Sequence, residues 1–246
     1  MQNNKYDDKK FFDEYSKMTR SVYGLKGAGE WSTLRKMLPS LEGKRVLDLG
    51  CGFGWHCKYA IENNAIEVIG VDSSERMLEQ AKKINGSPAI EYIKESIENI
   101  ELKEEHFDVV ISSLVLHYVR NFKEVCTKVY NCITYGGEFI FSVEHPIFTS
   151  QGKQEWHYDE FGNRVHWPVD SYFNEERRES IFLGEKVTKY HKTLTTYINT
   201  LINSGFEIME VVEPMPPKEM LQENVEMQDE LRRPMMLLIS AKKKYK

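Results

Sequence analysis

Short apolar runs alternate with amphipathic stretches through the first 143 residues of the chain. The apolar runs cover residues 45–49, 67–71, 89–93, 107–112 and 138–143. Between them, apolar side chains recur at helical spacing in residues 74–84 and 122–133. Such runs are typical of strands buried on both faces. Their alternation with helices predicts an α/β fold with a mostly parallel, doubly wound sheet that has helices on both faces.

The pattern changes after residue 143. Residues 144–190 show no clean periodicity and are rich in aromatic side chains, and loops of this length in a compact domain are usually lids or binding elements. Regular patterns return with a predicted helix at 194–203 and predicted strands at 206–212 and 235–240. With the five earlier runs these make seven predicted strands.

The N-terminal residues 9–38 are predicted to form two helical segments around a break at residues 24–29. No linker marks a second independent unit, so we expect a single domain. Its predicted parts are a helical cap (1–38), a core that contains most of the sheet (39–143), an insert or lid (144–190), and a C-terminal helix with a β-hairpin (191–246).

Composition narrows the class of protein further. A net charge of -5 with 12% aromatic residues argues against wholesale disorder. No run approaches the roughly 18 apolar residues of a membrane helix, and the first eight residues lack the apolar segment of a secretory signal, so we expect a cytoplasmic protein. The cationic run at 242–244 does not amount to a nucleic-acid surface, so a small-molecule partner is expected. The four cysteines are too few and too unevenly spaced for a disulfide framework or a usual zinc site: Cys51, Cys57, Cys126 and Cys132.

A glycine-rich turn carries the strongest chemical signal. Residues 46–54 read Val-Leu-Asp-Leu-Gly-Cys-Gly-Phe-Gly, between a predicted strand and a predicted helix. Glycines permit a tight turn and a close approach of backbone to a ligand, and the helix start supplies free N–H groups. Asp72 ends the next strand, twenty residues after Gly52. The two features are expected to share the crevice at the carboxyl ends of the strands, where a carboxylate can accept hydrogen bonds from ribose hydroxyls. The pattern predicts a cofactor that contains a nucleoside.

The dinucleotide fingerprint G-x-G-x-x-G fits this turn poorly. Its last glycine would fall on Trp55 or on Cys57, depending on the frame. Asp48 would repel a pyrophosphate, whereas it would attract a sulfonium or ammonium group. These observations disfavour an NAD-dependent oxidoreductase without removing it. A non-catalytic subunit that keeps such a fold for binding a partner is a second alternative, although the intact turn and Asp72 argue against it.

Two segments resemble one family closely. Asp-x-Gly-Cys-Gly-x-Gly at 48–54 and Val-Asp-Ser-Ser-Glu-Arg-Met-Leu at 71–78 are similar to the class I S-adenosylmethionine-dependent methyltransferases, and most similar to the small "type 11" methyltransferase domains. The segments at 142–146 and 232–236 look like a subgroup pattern. The resemblance implies a Rossmann-like seven-stranded sheet that is mostly parallel and has an antiparallel C-terminal hairpin strand. It also implies S-adenosyl-L-methionine as cofactor and methyl transfer to an acceptor that the motifs do not identify.

The resemblance also implies roles for single residues. The turn at Gly50, Gly52 and Gly54 would face the methionyl and ribose parts of the cofactor. Asp48 would lie near the methionyl amino group, and Asp72 would accept hydrogen bonds from the ribose hydroxyls.

The remaining implied contacts are with the adenine and the methionine. Met77 would pack on the adenine, while Ser96 and Ile97 stand where the family usually places an Asp that binds the adenine amino group. Ser113 and Leu114 would lie under the methionine.

Methyl transfer from a sulfonium needs mainly orientation, with a base where the acceptor must lose a proton. His117, Glu144 and His145 are the candidates at the crevice, and we expect His117 or His145 to line the acceptor pocket. Each histidine has a structural alternative: His145 as a loop residue that anchors a turn, and His117 as a helix-start residue bonded to backbone.

Overall fold

The computed structural model describes residues 4–223 and 225–245. The strands are β1 (Arg45–Leu49), β2 (Glu67–Asp72), β3 (Ile90–Lys94), β4 (Phe107–Ser113), β5 (Ile133–Glu144), β6 (His157–Tyr158), β7 (Arg164–His166), β8 (Arg177–Phe182), β9 (Glu185–Tyr190), β10 (Phe206–Val212) and β11 (Met236–Lys243). Seven of them form one sheet in the order β10-β11-β5-β4-β1-β2-β3. Neighbours from β5 to β3 run parallel, and β11 runs antiparallel to both β5 and β10. The predicted mostly parallel sheet with an antiparallel C-terminal hairpin strand is confirmed.

Helices cover both faces of this sheet. They are α1 (Lys9–Ser16), α2 (Thr19–Val22), α3 (Trp31–Met37), α4 (Trp55–Glu62), α5 (Glu75–Asn85), α6 (Phe122–Cys132), α7 (Pro146–Thr149), α8 (Leu194–Asn203) and α9 (Lys218–Glu223). Three 3-10 helices span Lys5–Asp7, Gly24–Gly27 and Val225–Arg232. Alternate side chains of β1 enter two separate cores: Val46 packs with α3 and α4, and Leu47 packs with α6 and α8. No helix in the described ranges combines the length and apolarity needed to cross a membrane.

The junction between α6 and β5 differs from the prediction. β5 begins at Ile133, whereas the sequence placed its start at residue 138 and used residues 135–137 to end the helix. The pairing of β4 with β5 shifts register in this region, and Gly136 has a φ of +78°. An irregular strand and the end of a helix can both contain glycines, so the residue types alone could not distinguish a strand from a helix end here.

The insert, for which the sequence shows no period, contains regular structure. Besides α7, it forms two separate antiparallel hairpins, β6–β7 and β8–β9. In β8 only Ser180 is buried, so the strand lacks the alternation of apolar and polar side chains that identifies a half-buried strand. The hairpin β8–β9 was therefore missed because its side chains are mostly polar.

Residues 4–38, called the cap below, contain three short α-helices and two 3-10 helices rather than two helical segments. The cap is attached to the core at the start of α5, where Asp7 accepts a hydrogen bond from the Ser74 hydroxyl at 2.7 Å. It is attached to the hairpin β8–β9 by the ion pair of Lys5 with Glu185 at 2.9 Å. The cap therefore bridges the core and the insert on the side of the sheet where β2 ends.

Candidate active site

The glycine-rich turn lies between β1 and α4. Gly50, Gly52 and Gly54 have φ values of +78°, +53° and +73°, a region that residues with a Cβ rarely adopt. A Cβ on Gly50 would lie 2.6 Å from a methyl group of Val115, whereas a Cβ on Gly52 would meet nothing within 4 Å. Gly50 is thus required by packing, and Gly52 faces open space in which a ligand fits.

Asp72 connects this turn to the start of α5. Its carboxylate accepts hydrogen bonds from the backbone N–H groups of Gly52 and Ser74, both at 2.9 Å. Burial raises the pKa of Asp72 to about 6, although these hydrogen bonds act in the opposite direction. The sequence prediction that the acid after the second strand lies beside the glycine turn agrees with this geometry.

Asp48 is fully buried at the foot of the same turn. One carboxylate oxygen accepts a long hydrogen bond from the Cys57 thiol at 3.4 Å, and the other has no hydrogen-bond partner among the residues that the structure describes. Burial raises the pKa of Asp48 to about 7. A buried carboxylate oxygen without a partner is costly. This oxygen fits the ammonium group at the methionyl end of the cofactor. Together, the Asp48 oxygen and the open space at Gly52 match the hydrogen-bond acceptor and the room that S-adenosylmethionine requires.

The residues expected at the adenine are Met77, Ser96 and Ile97. Met77 is buried at the start of α5, and Ile97 is buried after β3. The Ser96 hydroxyl accepts a hydrogen bond from the Asn99 backbone N–H at 3.2 Å and donates one to Glu95 at 3.3 Å. Ser96 thus caps a turn, and its contact with adenine stays a prediction.

Ser113 and Leu114 lie at the end of β4, the strand next to β1. Leu114 has a φ of +55°, and its N–H donates to the Ser142 carbonyl at 2.9 Å. The Ser113 hydroxyl donates to the Glu30 carboxylate at 3.1 Å. The expected methionine end of the crevice is therefore in contact with the cap.

Cap residues near the crevice were missed by the sequence reasoning. The Tyr15 ring lies 5.7 Å from the ring of Phe53 in the glycine turn. The Tyr6 hydroxyl donates to the Tyr118 hydroxyl at 3.3 Å, five residues after Ser113. Burial raises the pKa of both Tyr6 and Tyr118, which keeps the two hydroxyls protonated. The cap sequence has no motif that indicates these contacts.

His117 is buried beside the carboxyl end of β5. Its Nδ1 accepts a hydrogen bond from the Glu144 backbone N–H at 3.3 Å, and burial lowers its pKa to about 4. The ring is therefore neutral at physiological pH, and its proton resides on Nε2. Glu144 forms an ion pair with Lys189 of β9 at 2.6 Å. In this arrangement His117 can donate a hydrogen bond from Nε2 but cannot act there as a base.

His145 has the contacts of a structural residue. It is the N-cap of α7, where its Nδ1 accepts from the Ile147 backbone N–H at 3.0 Å. Its Nε2 lies 2.8 Å from a carboxylate oxygen of Glu213, and burial lowers its pKa. Both ring nitrogens thus have neighbours outside the glycine turn. A role in the acceptor pocket stays a prediction with less support than that of His117.

The described residues provide no recognisable ligand set for a metal ion. Within residues 4–223 and 225–245, no group of three or more His, Cys, Asp or Glu side chains could hold a metal ion. The free cysteines in these ranges are buried.

Comparison with known proteins agrees with this geometry. A family model described as "Methyltransferase domain", of type 11, matches residues 47–141. A crystal structure from Listeria monocytogenes, described as an S-adenosylmethionine-dependent methyltransferase, is 57% identical, has a TM-score of 0.86, and covers 90% of this chain and 100% of that chain. A methyltransferase of the same description from Mesorhizobium loti is 42% identical, has a TM-score of 0.83, and covers 89% of this chain and 100% of that one.

Two curated relatives add less about function. An uncharacterised protein of Haemophilus influenzae is 36% identical over 97% of this chain and 96% of its own length. A tRNA U34 carboxymethyltransferase of Pseudoalteromonas atlantica is 32% identical, but over only 45% of this chain and 35% of that protein. The crystallised relatives match over nearly the whole chain and decide the family, so the alternatives of an oxidoreductase and a non-catalytic subunit are set aside. The chain belongs to the class I S-adenosylmethionine-dependent methyltransferases and is an enzyme that uses S-adenosyl-L-methionine.

Proposed function

We propose that this methyltransferase acts on a small-molecule acceptor held between the cap and the hairpin β8–β9. The observation that carries the proposal is the direct contact of these two elements. Lys5 and Lys10 of the cap both pair with Glu185 of the hairpin, at 2.9 and 3.2 Å. Beside them the buried ring of Phe11 packs on Phe182, with ring centres 5.9 Å apart. Together they cover the crevice on the side where an acceptor must approach the methyl group.

A covered crevice favours a compact acceptor over a macromolecule. The cap also holds the start of α5, where Arg76 donates to the Asp7 carbonyl at 2.8 Å. A long RNA or protein segment would have to displace these contacts, whereas a small molecule can be enclosed by them. The net charge of -5 gives no general attraction for nucleic acid.

The chemistry of the site supports orientation and exclusion of water as its main contributions. The cofactor supplies a methyl group that is already activated as a sulfonium. The Nε2–H of His117 and the hydroxyl of Tyr118, which itself accepts from Tyr6, are hydrogen-bond donors that can hold an acceptor oxygen or nitrogen in line. Since these groups stay protonated at their donor atoms, the acceptor is expected to present a nucleophile that needs no strong base from the protein.

Transfer of label from methyl-labelled S-adenosylmethionine tests the proposal. The enzyme is incubated with a cell extract divided into a low-molecular-mass fraction, a protein fraction and an RNA fraction. We expect labelled product in the low-molecular-mass fraction, identified by its mass increase of one methyl group. The Asp72→Ala variant, which lacks the expected ribose contact, serves as a control for labelling that does not depend on the site. Label confined to the RNA or protein fraction would contradict the proposal.

A further inference from the structure

Arg20 of α2 lies in the cap with most of its side chain buried. Its Nη2 donates to a carboxylate oxygen of Glu30 at 2.5 Å, and the side chains of Arg20 and Glu30 are 23% and 3% exposed. The same oxygen of Glu30 accepts the hydrogen bond of the Ser113 hydroxyl at 3.1 Å. Glu30 thus holds the guanidinium group of Arg20 next to the carboxyl end of β4.

The guanidinium group has unused hydrogen-bonding capacity. It carries five N–H donors, and among the described residues its hydrogen-bond partner is the single Glu30 oxygen. Charged donors that are mostly removed from water need partners, and the planar fork of an arginine matches the two oxygens of a carboxylate. A carboxylate bound beside Glu30 would satisfy these donors.

The cofactor brings such a group to the same place. The methionyl end of S-adenosylmethionine is a zwitterion with an ammonium and a carboxylate group. The unpartnered oxygen of Asp48 suits the ammonium. The residues expected around the methionine, which are the glycines of the turn with Ser113 and Leu114, include no cation for the carboxylate.

We propose that Arg20 binds the carboxylate of the cofactor's methionyl group and that Glu30 positions the Arg20 side chain for this contact. The guanidinium group then forms two parallel N–H···O bonds to the carboxylate and keeps its existing bond to Glu30. The inference concerns cofactor recognition only and does not depend on the identity of the acceptor.

Two ligands separate this role from a general effect on folding. S-Adenosylhomocysteine keeps the carboxylate, whereas 5′-methylthioadenosine lacks the whole amino-acid part. In Arg20→Met we expect the affinity for S-adenosylhomocysteine, measured by calorimetry, to fall about 10- to 100-fold, as for the loss of a charge-assisted pair. The affinity for 5′-methylthioadenosine should change by less than about twofold. Arg35→Met is the matched control, because Arg35 lies exposed on α3 of the same cap, and both affinities should stay as in the wild type.

Equal losses for both ligands, or no loss for either, would overturn the proposal. No loss for either ligand would also be the result if Arg20 bound a carboxylate of the acceptor instead. Glu30→Gln should produce a smaller loss that is likewise selective for S-adenosylhomocysteine, since a merely structural role would affect both ligands.

A third ligand tests the contact between Arg20 and the carboxylate on the wild-type protein, so the result does not depend on whether the variants fold. Decarboxylated S-adenosylmethionine lacks only the carboxylate. It should bind the wild-type enzyme about 10- to 100-fold more weakly than S-adenosylmethionine. Equal affinity for the two ligands would exclude a carboxylate contact at Arg20.

Discussion

Asp48 is the residue at which burial and charge are in greatest conflict. The side chain is fully buried, one of its oxygens lacks a hydrogen-bond partner in the described part of the chain, and its pKa is raised to about 7. In the unfolded chain the same group titrates near its ordinary value of 3.8. Since the folded protein without cofactor prefers the protonated acid, its free energy of unfolding should fall as the pH rises from about 4 to about 7. A bound ammonium group reverses this preference and favours the carboxylate.

Cofactor affinity should therefore depend on pH through Asp48. For the wild type, we expect the affinity for S-adenosylhomocysteine to increase as the pH rises from about 6 to 8, by up to about tenfold per unit below the pKa. In Asp48→Asn the affinity should be weaker and nearly independent of pH in this range. Calorimetric titrations at a series of pH values measure both effects.

The same titration with 5′-methylthioadenosine is the control, because this ligand has no ammonium group. Asp72, whose pKa is raised to about 6, would affect both ligands through the ribose. An undiminished pH slope in Asp48→Asn would mean that another group controls the binding of the ammonium.

At the residue scale, sequence reasoning succeeded where the chemistry is local. Asp48 lies near the end of β1 and Asp72 ends β2, and both are in or beside one turn, so their positions along the chain were enough to bring them together. The contact of Ser113 with Glu30 joins residues 83 positions apart, and it exists only because the cap packs on the sheet. Glu30 and Arg20 belong to no recognisable motif, and their burial cannot be deduced from the alternation of apolar and polar residues.

At the element scale, two glycines of the same turn are needed for different reasons. Gly50 is required for packing, and Gly52 is required for ligand binding. Gly50→Ala combines a left-handed backbone with a close approach to Val115, and we expect a loss of about 2 kcal/mol or more in the free energy of unfolding. Gly52→Ala has the backbone strain alone and should lose about 1 kcal/mol. Because its added methyl group enters the open space of the crevice, Gly52→Ala should lose most of its affinity for S-adenosylhomocysteine.

Urea unfolding and calorimetry on the two variants check these expectations. The double variant Gly50→Ala with Val115→Ala should regain part of the lost stability, because the methyl groups of Val115 that meet the new Cβ are removed. A larger loss of stability in Gly52→Ala than in Gly50→Ala would contradict the distinction between packing and binding.

The elements that sequence predicted well are the strands with runs of apolar side chains. Most of their predicted limits agree with the structure to within one or two residues, including those of β10 at the edge of the sheet. β5 departs most from its predicted limits, because it passes through an irregular segment with two glycines before its apolar part. Most side chains of the hairpin β8–β9 are polar, so its sequence lacks the alternation of apolar and polar residues that identifies a half-buried strand.

At the scale of the whole molecule, the cap and the hairpin β8–β9 lie far apart in the sequence but contact each other beside the glycine turn. The cap touches the glycine turn through Phe12 and Tyr15, and it touches the hairpin β8–β9 through Phe11. A ligand that orders the cap should therefore order the hairpin as well. We expect S-adenosylhomocysteine to slow amide hydrogen exchange in α1 and in β8–β9 together, although β8 begins 161 residues after α1 ends.

Phe182→Ala should uncouple the two elements. Loss of the ring contact with Phe11 should speed exchange in α1 and increase the rate of S-adenosylhomocysteine release about three- to tenfold. Ile181→Ala is the matched control, because Ile181 is the adjacent residue of β8 and is 59% exposed. If both variants behave like the wild type, the contact between cap and hairpin does not retain the ligand. The enclosure of a small acceptor would then have to depend on the polar contacts of Glu185 alone. If only Phe182→Ala releases the ligand faster, access to the crevice is controlled by the separation of cap and hairpin, and the acceptor must be small enough to be covered when they meet.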